Sequence, residues 1–186
     1  AGTEYSATKK RADDHLRTLP LDWIVLRPSL VYGEGSYGGT SALRGLAGLP
    51  GITPLVGDGS AAFRPIHIDD LVETVARVVE IDRFARQTLE PVGPEVVTLR
   101  DLIVKYRSWL GLAPVPTLTI PMPVMRVAAR IADLAGGGPL GTASLRQLEV
   151  GNAGREAATT FADKIGFTPR RMDDMLARRP AQTQDL

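Results

Sequence analysis

Apolar and polar positions sort this chain into short strands early and helices late. In residues 5–18 a few apolar positions, Ala7, Ala12 and Leu16, stand among charges, the pattern of a solvent-facing helix. Residues 23–26 form a short unbroken apolar run with β-branched members, which predicts a strand buried on both faces and ended by Pro28. Residues 33–51 carry seven glycines among small residues, which predicts a loop holding at most a short helix near 40–47. Strands are expected at 54–56 and 63–68, separated by a turn at 57–59. The next helix has Leu71, Val72, Val75, Val78 and Val79 as one apolar stripe, with Asp69 and Asp70 at its positive end. His67 is read as support for that helix rather than as a catalyst.

The remainder is mainly helical. Residues 90–98 suggest an extended segment, after which Thr98 caps a helix with Asp101 three residues on and Gly111 past its end. Residues 121–136 predict an amphipathic helix stopped by glycines, and shorter helices follow near 144–150, 157–165 and 172–178. The pattern is mixed α/β.

Composition narrows the function classes. With 22 basic and 21 acidic side chains the net charge is +1, so no field points to nucleic acid. Arg170, Arg171, Arg178 and Arg179, beside Asp173 and Asp174, read as a solvated helix end. The absence of cysteine excludes disulfides, thiolate metal sites and thiol nucleophiles, and agrees with a reducing, cytoplasmic setting. His15 and His67 are too few and too far apart for a histidine metal site, so no metal is expected. No segment approaches 18 uninterrupted apolar residues, and membrane association is expected only through segments outside these residues.

Two short motifs carry candidate chemistry. In YSATKK, Tyr5 and Lys9 lie four apart, on one helix face. A cation there favours phenolate and brings the phenol toward proton transfer near neutrality. Alone, that spacing arises by chance in roughly one chain in three of this length. The second motif, GEGSYG, sets Gly33, Gly35 and Gly38 in the spacing of a dinucleotide fingerprint, with Asp58 twenty residues beyond Gly38 in the place of a ribose-binding acid. It is rejected as such: Gly45 and Gly48 weaken the following helix, and Asp58 sits between glycines in a turn.

With YSATK, LDWIVLRPSLVYGEG and FRPIHIDDLVETV in this order, the chain resembles the extended and atypical short-chain dehydrogenase/reductase superfamily. That is the NAD-dependent epimerase/dehydratase-like group, and the likeness is nearest to the branch related to the 39-kDa subunit of respiratory complex I. The resemblance implies a partial Rossmann fold with a mostly helical C-terminal substrate-binding region. Residues 1–32 would be the C-terminal part of the Rossmann domain and 33–186 the substrate region with interleaved Rossmann elements. In this family the Tyr-x-x-x-Lys pair falls midway along the protein, so the sequence is expected to be a C-terminal portion whose phosphate loop lies upstream. A membrane domain follows a similar C-terminal stretch in some relatives.

The resemblance also implies roles. Tyr5 matches the general acid/base, and Lys9 the lysine that hydrogen-bonds the nicotinamide ribose and lowers the tyrosine pKa. Pro28 and Ser29 match the strand end beside the nicotinamide, although Pro28 serves equally well as a strand terminator. Arg27 and Phe63 are candidate substrate contacts. Where relatives acting on nucleotide-diphospho-sugars have a diphosphate-binding arginine, this chain has Phe63, which argues for a different, more apolar small-molecule substrate. The expected activity is an NAD- or NADP-dependent oxidoreductase or epimerase working on a carbonyl or alcohol, the portion alone being inactive and prone to self-association. The alternative is a non-catalytic nucleotide-binding or assembly module of the same fold.

Overall fold

A computed structural model describes residues 4–35, 39–134, 136, 141–154 and 158–182, without the side chains of Glu4, Tyr5 and Ala143. The expected opening helix is α1 (Glu4–Thr18). It leads into β1 (Ile24–Leu26), which pairs in parallel with β6 (Gln87–Leu89). Beyond β1 the extended chain keeps bonding, Arg27 N–H to the Leu89 carbonyl and Ser29 N–H to that of Pro91. It then forms β2 (Val31–Tyr32), parallel to β5 (Ile66–His67). Only Val25 of β1 is fully buried, so the expected burial on both faces is not met among the described residues.

The glycine-rich stretch does form a helix, α2 (Gly39–Gly48), despite its internal glycines. Leu43 and Ala47 are completely buried, and packing of this face in the core offsets the weak intrinsic propensity. After it come β3 (Thr53–Val56) and β4 (Ala62–Phe63). The strand expected over 63–68 is split. β4 runs antiparallel to β7 (Val97–Thr98), whereas β5 joins β2, and Pro65 between them has no N–H to continue one ladder. Pro65 also needs a bare neighbour. A Cβ on Gly93 would lie 1.8 Å from the Pro65 carbonyl oxygen, so only glycine passes there.

The helix after β5 is α3 (Ile68–Glu80), and His67 caps it, its Nδ1 accepting the Asp69 N–H. The apolar stripe is buried only in part, at Val78 and, half-buried, at Leu71. Val72, Val75 and Val79 are exposed, together with Ile68, while the buried positions are Asp70, Thr74 and Val78. The cause is Asp70, whose 3 %-exposed carboxylate accepts from the backbone and guanidinium of Arg170, 100 residues on. Burying that carboxylate against a half-exposed Arg170 turns the polar edge of α3 inward.

α4 (Leu99–Trp109) carries the expected capping box between Thr98 and Asp101, and Gly111 beyond it has φ of 71°. β8 (Thr117–Ile120), parallel to β3, is an element the sequence reading missed. Then come α5 (Met122–Leu134), α6 (Thr142–Val150), α7 (Ala158–Ile165) and α8 (Met172–Arg178). The arginine cluster near α8 is a solvated end only in part: Arg171 and Arg178 are exposed, but three of its members are also tied to distant residues. Arg170 holds Asp70, Arg171 pairs with Glu95, and the Trp109 indole donates to the Arg179 carbonyl. Two buried clusters result, one around Leu43, Leu102 and Tyr106, the other around Ile66, Leu89 and Phe161. No described helix is long and apolar enough to cross a membrane.

Candidate active site

A cavity of about 720 Å³ opens at the carboxyl end of β1. Pro28 and Ser29, just past that strand, form its inner wall, and Ser6 on the first turns of α1 reaches it from one side. Phe63 of β4 and Ile68 of α3 add apolar surface. The far wall is α6, through Ser144, Arg146, Gln147 and Leu148. Carboxyl ends of parallel strands are where open α/β sheets place ligands, because helix N-termini and loops converge there.

Asn152 fastens the far wall to the strand end. Its N–H donates to the Ala62 carbonyl at 2.9 Å, and its carbonyl accepts from the Arg64 N–H and the Ser29 hydroxyl. Its amide side chain donates to the Pro28 carbonyl at 3.2 Å. Gly151 makes the approach possible. It has φ of 72°, and a Cβ there would stand 2.4 Å from the Ala62 oxygen. Ser29 is thus placed at the site as expected, but its hydroxyl holds Asn152 while also accepting the Arg64 N–H at 3.2 Å. Sequence reasoning missed Gly151, Asn152 and the α6 residues; the only local signal was a glycine and an asparagine just after a helical pattern.

The other expected residues distribute unevenly. Tyr5 lies in the first turn of α1, one residue before the cavity-lining Ser6; its side chain is outside the described residues. Lys9 is exposed one turn on, outside the cavity wall. Arg27 is turned toward α1, where it holds Asp13 at 2.6 Å and pins the helix to the strand. Phe63 is 3 % exposed and in the wall. The structure therefore brings together Ser29, Pro28 and Phe63, with the Tyr5 helix adjacent, and leaves Arg27 out.

The loop after β2 is held by a buried cation. Arg44 of α2 donates to the carbonyls of Gly33 and Glu34, and its guanidinium lies 5.0 Å from the Trp109 ring centre. Glycines 33 and 35 line the cavity, whereas Gly38 lies outside the described residues. A helix does follow this loop, so one reason for rejecting the fingerprint falls. Topology supplies a better one: β2 pairs with β5 and β3 with β8, so β2–α2–β3 does not give the adjacent parallel strands of a dinucleotide βαβ unit. Asp58 accepts from the N–H and hydroxyl of Ser60 inside its turn, and those bonds hold its pKa below the ordinary carboxylate value.

A smaller cavity of about 260 Å³ lies across the Tyr32–Glu34 segment, with His67, Trp109 and Arg170 in its wall. The His67 ring meets Tyr32 edge-on at 5.1 Å, and burial pulls its pKa below the usual value, so the imidazole is neutral near pH 7. With Nδ1 accepting from Asp69, the neutral ring carries its proton on Nε2. Burial likewise raises the pKa of the Tyr32 phenol, and pushes that of Tyr106 up to about 12, so neither is an acid for neutral-pH chemistry.

No protein-family model matches the sequence, and no curated protein matches it. Solved structures do match by shape. A dTDP-glucose 4,6-dehydratase from Bacillus anthracis, crystallised with NAD, aligns with TM-score 0.63 and 18% identity over 95% of this chain and 50% of its own. DesIV, the dTDP-glucose 4,6-dehydratase of Streptomyces venezuelae, also with NAD, gives 0.63 and 20% over 94% and 48%. The UDP-glucose 4-epimerase of Thermotoga maritima, with UDP-glucose, gives 0.59 and 16% over 92% and 48%. The chain thus shares a mixed α/β, Rossmann-type fold with part of these structures, and spans about half their length.

Proposed function

We propose that this chain is the C-terminal portion of an NAD(P)-dependent oxidoreductase or epimerase acting on a carbonyl or alcohol, with its reacting centre in the larger cavity. The observation that carries the reading is the cavity's position, between the first turns of the Tyr5 helix and the Pro28–Ser29 backbone at the carboxyl end of β1. NAD in two solved structures of the same fold supports the cofactor class. The residues present fit one end of a dinucleotide, a nicotinamide against Pro28 and Ser29; the phosphate-binding turn would lie in a segment preceding these residues.

A nicotinamide bound there would supply or accept the hydride. Tyr5 gives its hydroxyl proton to the carbonyl oxygen as the substrate is reduced, or takes a proton from the alcohol as it is oxidised. Lys9, one turn along the helix, favours the phenolate and so keeps the tyrosine able to work in both directions. Ser29 positions rather than reacts, because its hydroxyl is committed to Asn152. Phe63 in the wall supports a substrate other than a nucleotide-diphospho-sugar, since a phenyl ring offers no charge to a diphosphate.

The test is Tyr5→Phe in the protein carrying its upstream segment. It keeps the ring and removes the hydroxyl, and turnover is expected to fall at least about 100-fold with folding intact. Unchanged turnover would overturn the assignment. Full cofactor binding without turnover in the unmodified protein would favour the non-catalytic module.

A further inference from the structure

We propose that the larger cavity takes a substrate with one anionic group on an otherwise apolar body, and that Arg146 is the residue that recognises that group. The inference rests on reading this cavity as the substrate site. Charged side chains in its described wall are two, Arg146 from α6 and Glu34 from the loop after β2. Glu34 lies 3.7 Å from the Arg179 guanidinium, which also faces the smaller cavity. Arg146 has no hydrogen bond or ion pair to any described residue. Arg126 of the preceding helix, α5, holds Glu149 at 2.8 Å, so the acidic residue of α6 is already taken.

Polar side chains share the wall with Arg146. Ser144 and Gln147, on the same helix and in the same wall, can donate to a carboxylate that a planar guanidinium holds through two parallel bonds. Away from them the wall is apolar, with Leu30, Val31, Phe63, Ile68 and Leu148. Among the described residues of the wall, one arginine stands with one glutamate, and that glutamate faces Arg179. A diphosphate, with about two negative charges, finds one cation and one carboxylate there, whereas a monoanion can sit at Arg146 and keep Glu34 at a distance. The Asn152 clasp makes the pairing selective, because it fixes α6 against Pro28, Ser29 and Ala62 and so fixes where the charge stands relative to the strand end.

The experiment is calorimetric titration of this chain with decanoate below its micellar range, with 1-decanol and with UDP-glucose, repeated on R146Q and R146K. Arg146 is exposed and pairs with no described residue, so neither variant is expected to disturb folding, which near-ultraviolet circular dichroism checks. Saturable decanoate binding is expected, weakened at least about tenfold in R146Q and by a smaller factor in R146K, with 1-decanol no tighter than decanoate on R146Q and no saturable UDP-glucose binding. Equal decanoate affinity in R146Q, absent decanoate binding, or tight UDP-glucose binding each overturns the proposal. Its fate is separable from that of the oxidoreductase reading: Arg146-dependent binding in a protein that never turns over nicotinamide removes the reading and leaves the site, while loss of the site leaves Tyr5 and Lys9 untouched.

Discussion

The Ser29 hydroxyl donates to the Asn152 carbonyl across 123 residues of sequence, and this bond joins the strand end at the site to the helix that forms its far wall. Asn152 also has its N–H on Ala62 and its side chain on Pro28. Gly151 is the hinge that lets the chain come this close. Gly151→Ala meets both a left-handed backbone and an oxygen at 2.4 Å, so urea denaturation is expected to show a loss of at least about 2 kcal/mol. Asn152→Ala removes only the side-chain bond to Pro28 and should cost about 1 kcal/mol. Equal costs for the two would deny the hinge its role.

Asp70 and Arg170 form the second long-range tie. The Asp70 carboxylate is 3 % exposed, so Arg170→Met leaves it buried without its cation. Full burial of such a pair would put the loss at roughly 3–5 kcal/mol; with the Arg170 side chain 35 % exposed, water can screen part of it, and about 2–3 kcal/mol is expected. The double variant Asp70→Asn, Arg170→Met should recover part of that loss by removing the stranded charge. A double-mutant denaturation cycle reads both.

His67 links stability to pH. Burial depresses its pKa, with Asp69 and Asp70 opposing and Arg170 assisting. In the unfolded chain it titrates near about 6.5, so below that pH the unfolded state binds the proton first. Its contribution is therefore fully present above about pH 6.5 and is lost as pH falls toward the folded value. Asn at position 67 can still cap α3 but cannot titrate. Denaturation midpoints of His67→Asn should change less between pH 7.5 and 5.5 than those of the unmodified chain, and an unaltered difference would contradict the assignment.

Exposed apolar stripes predict self-association. Val72 and Val79 are 60% and 74% exposed on α3, and Ile131 and Leu134 are 62% and 90% exposed on α5. Sedimentation velocity is expected to show concentration-dependent association of this chain, reduced by Val72→Lys with Val79→Lys. A monomer at all concentrations would contradict it.

Where structure was legible in the sequence, the signal was local. Thr98, Asp101 and Gly111 define α4 within fourteen residues, and the observed capping box and left-handed glycine follow directly. His67 as support for α3 was legible for the same reason, and the structure makes it the cap. What depended on distant partners was not. The valines of α3 look like one core stripe, yet only Val78 is buried beside Asp70, which Arg170 holds; the short helix near 40–47 was legible, but not that the burial of Leu43 and Ala47 secures it. The far wall of the site was invisible for a further reason: Ser144, Arg146 and Gln147 are ordinary surface-helix residues, and only the Asn152 tie places them over the strand end.

The cavity at the carboxyl end of β1 is proposed to receive the nicotinamide. A crystal structure of the protein with its upstream segment, in complex with NADH, tests this most directly. The nicotinamide ring is expected to pack on the Pro28–Ser29 backbone, facing Phe63 across the cavity, with the Tyr5 hydroxyl within hydrogen-bond reach of the space beside its C4. A ring bound elsewhere, or phosphates held by the glycines at 33–39, would contradict it.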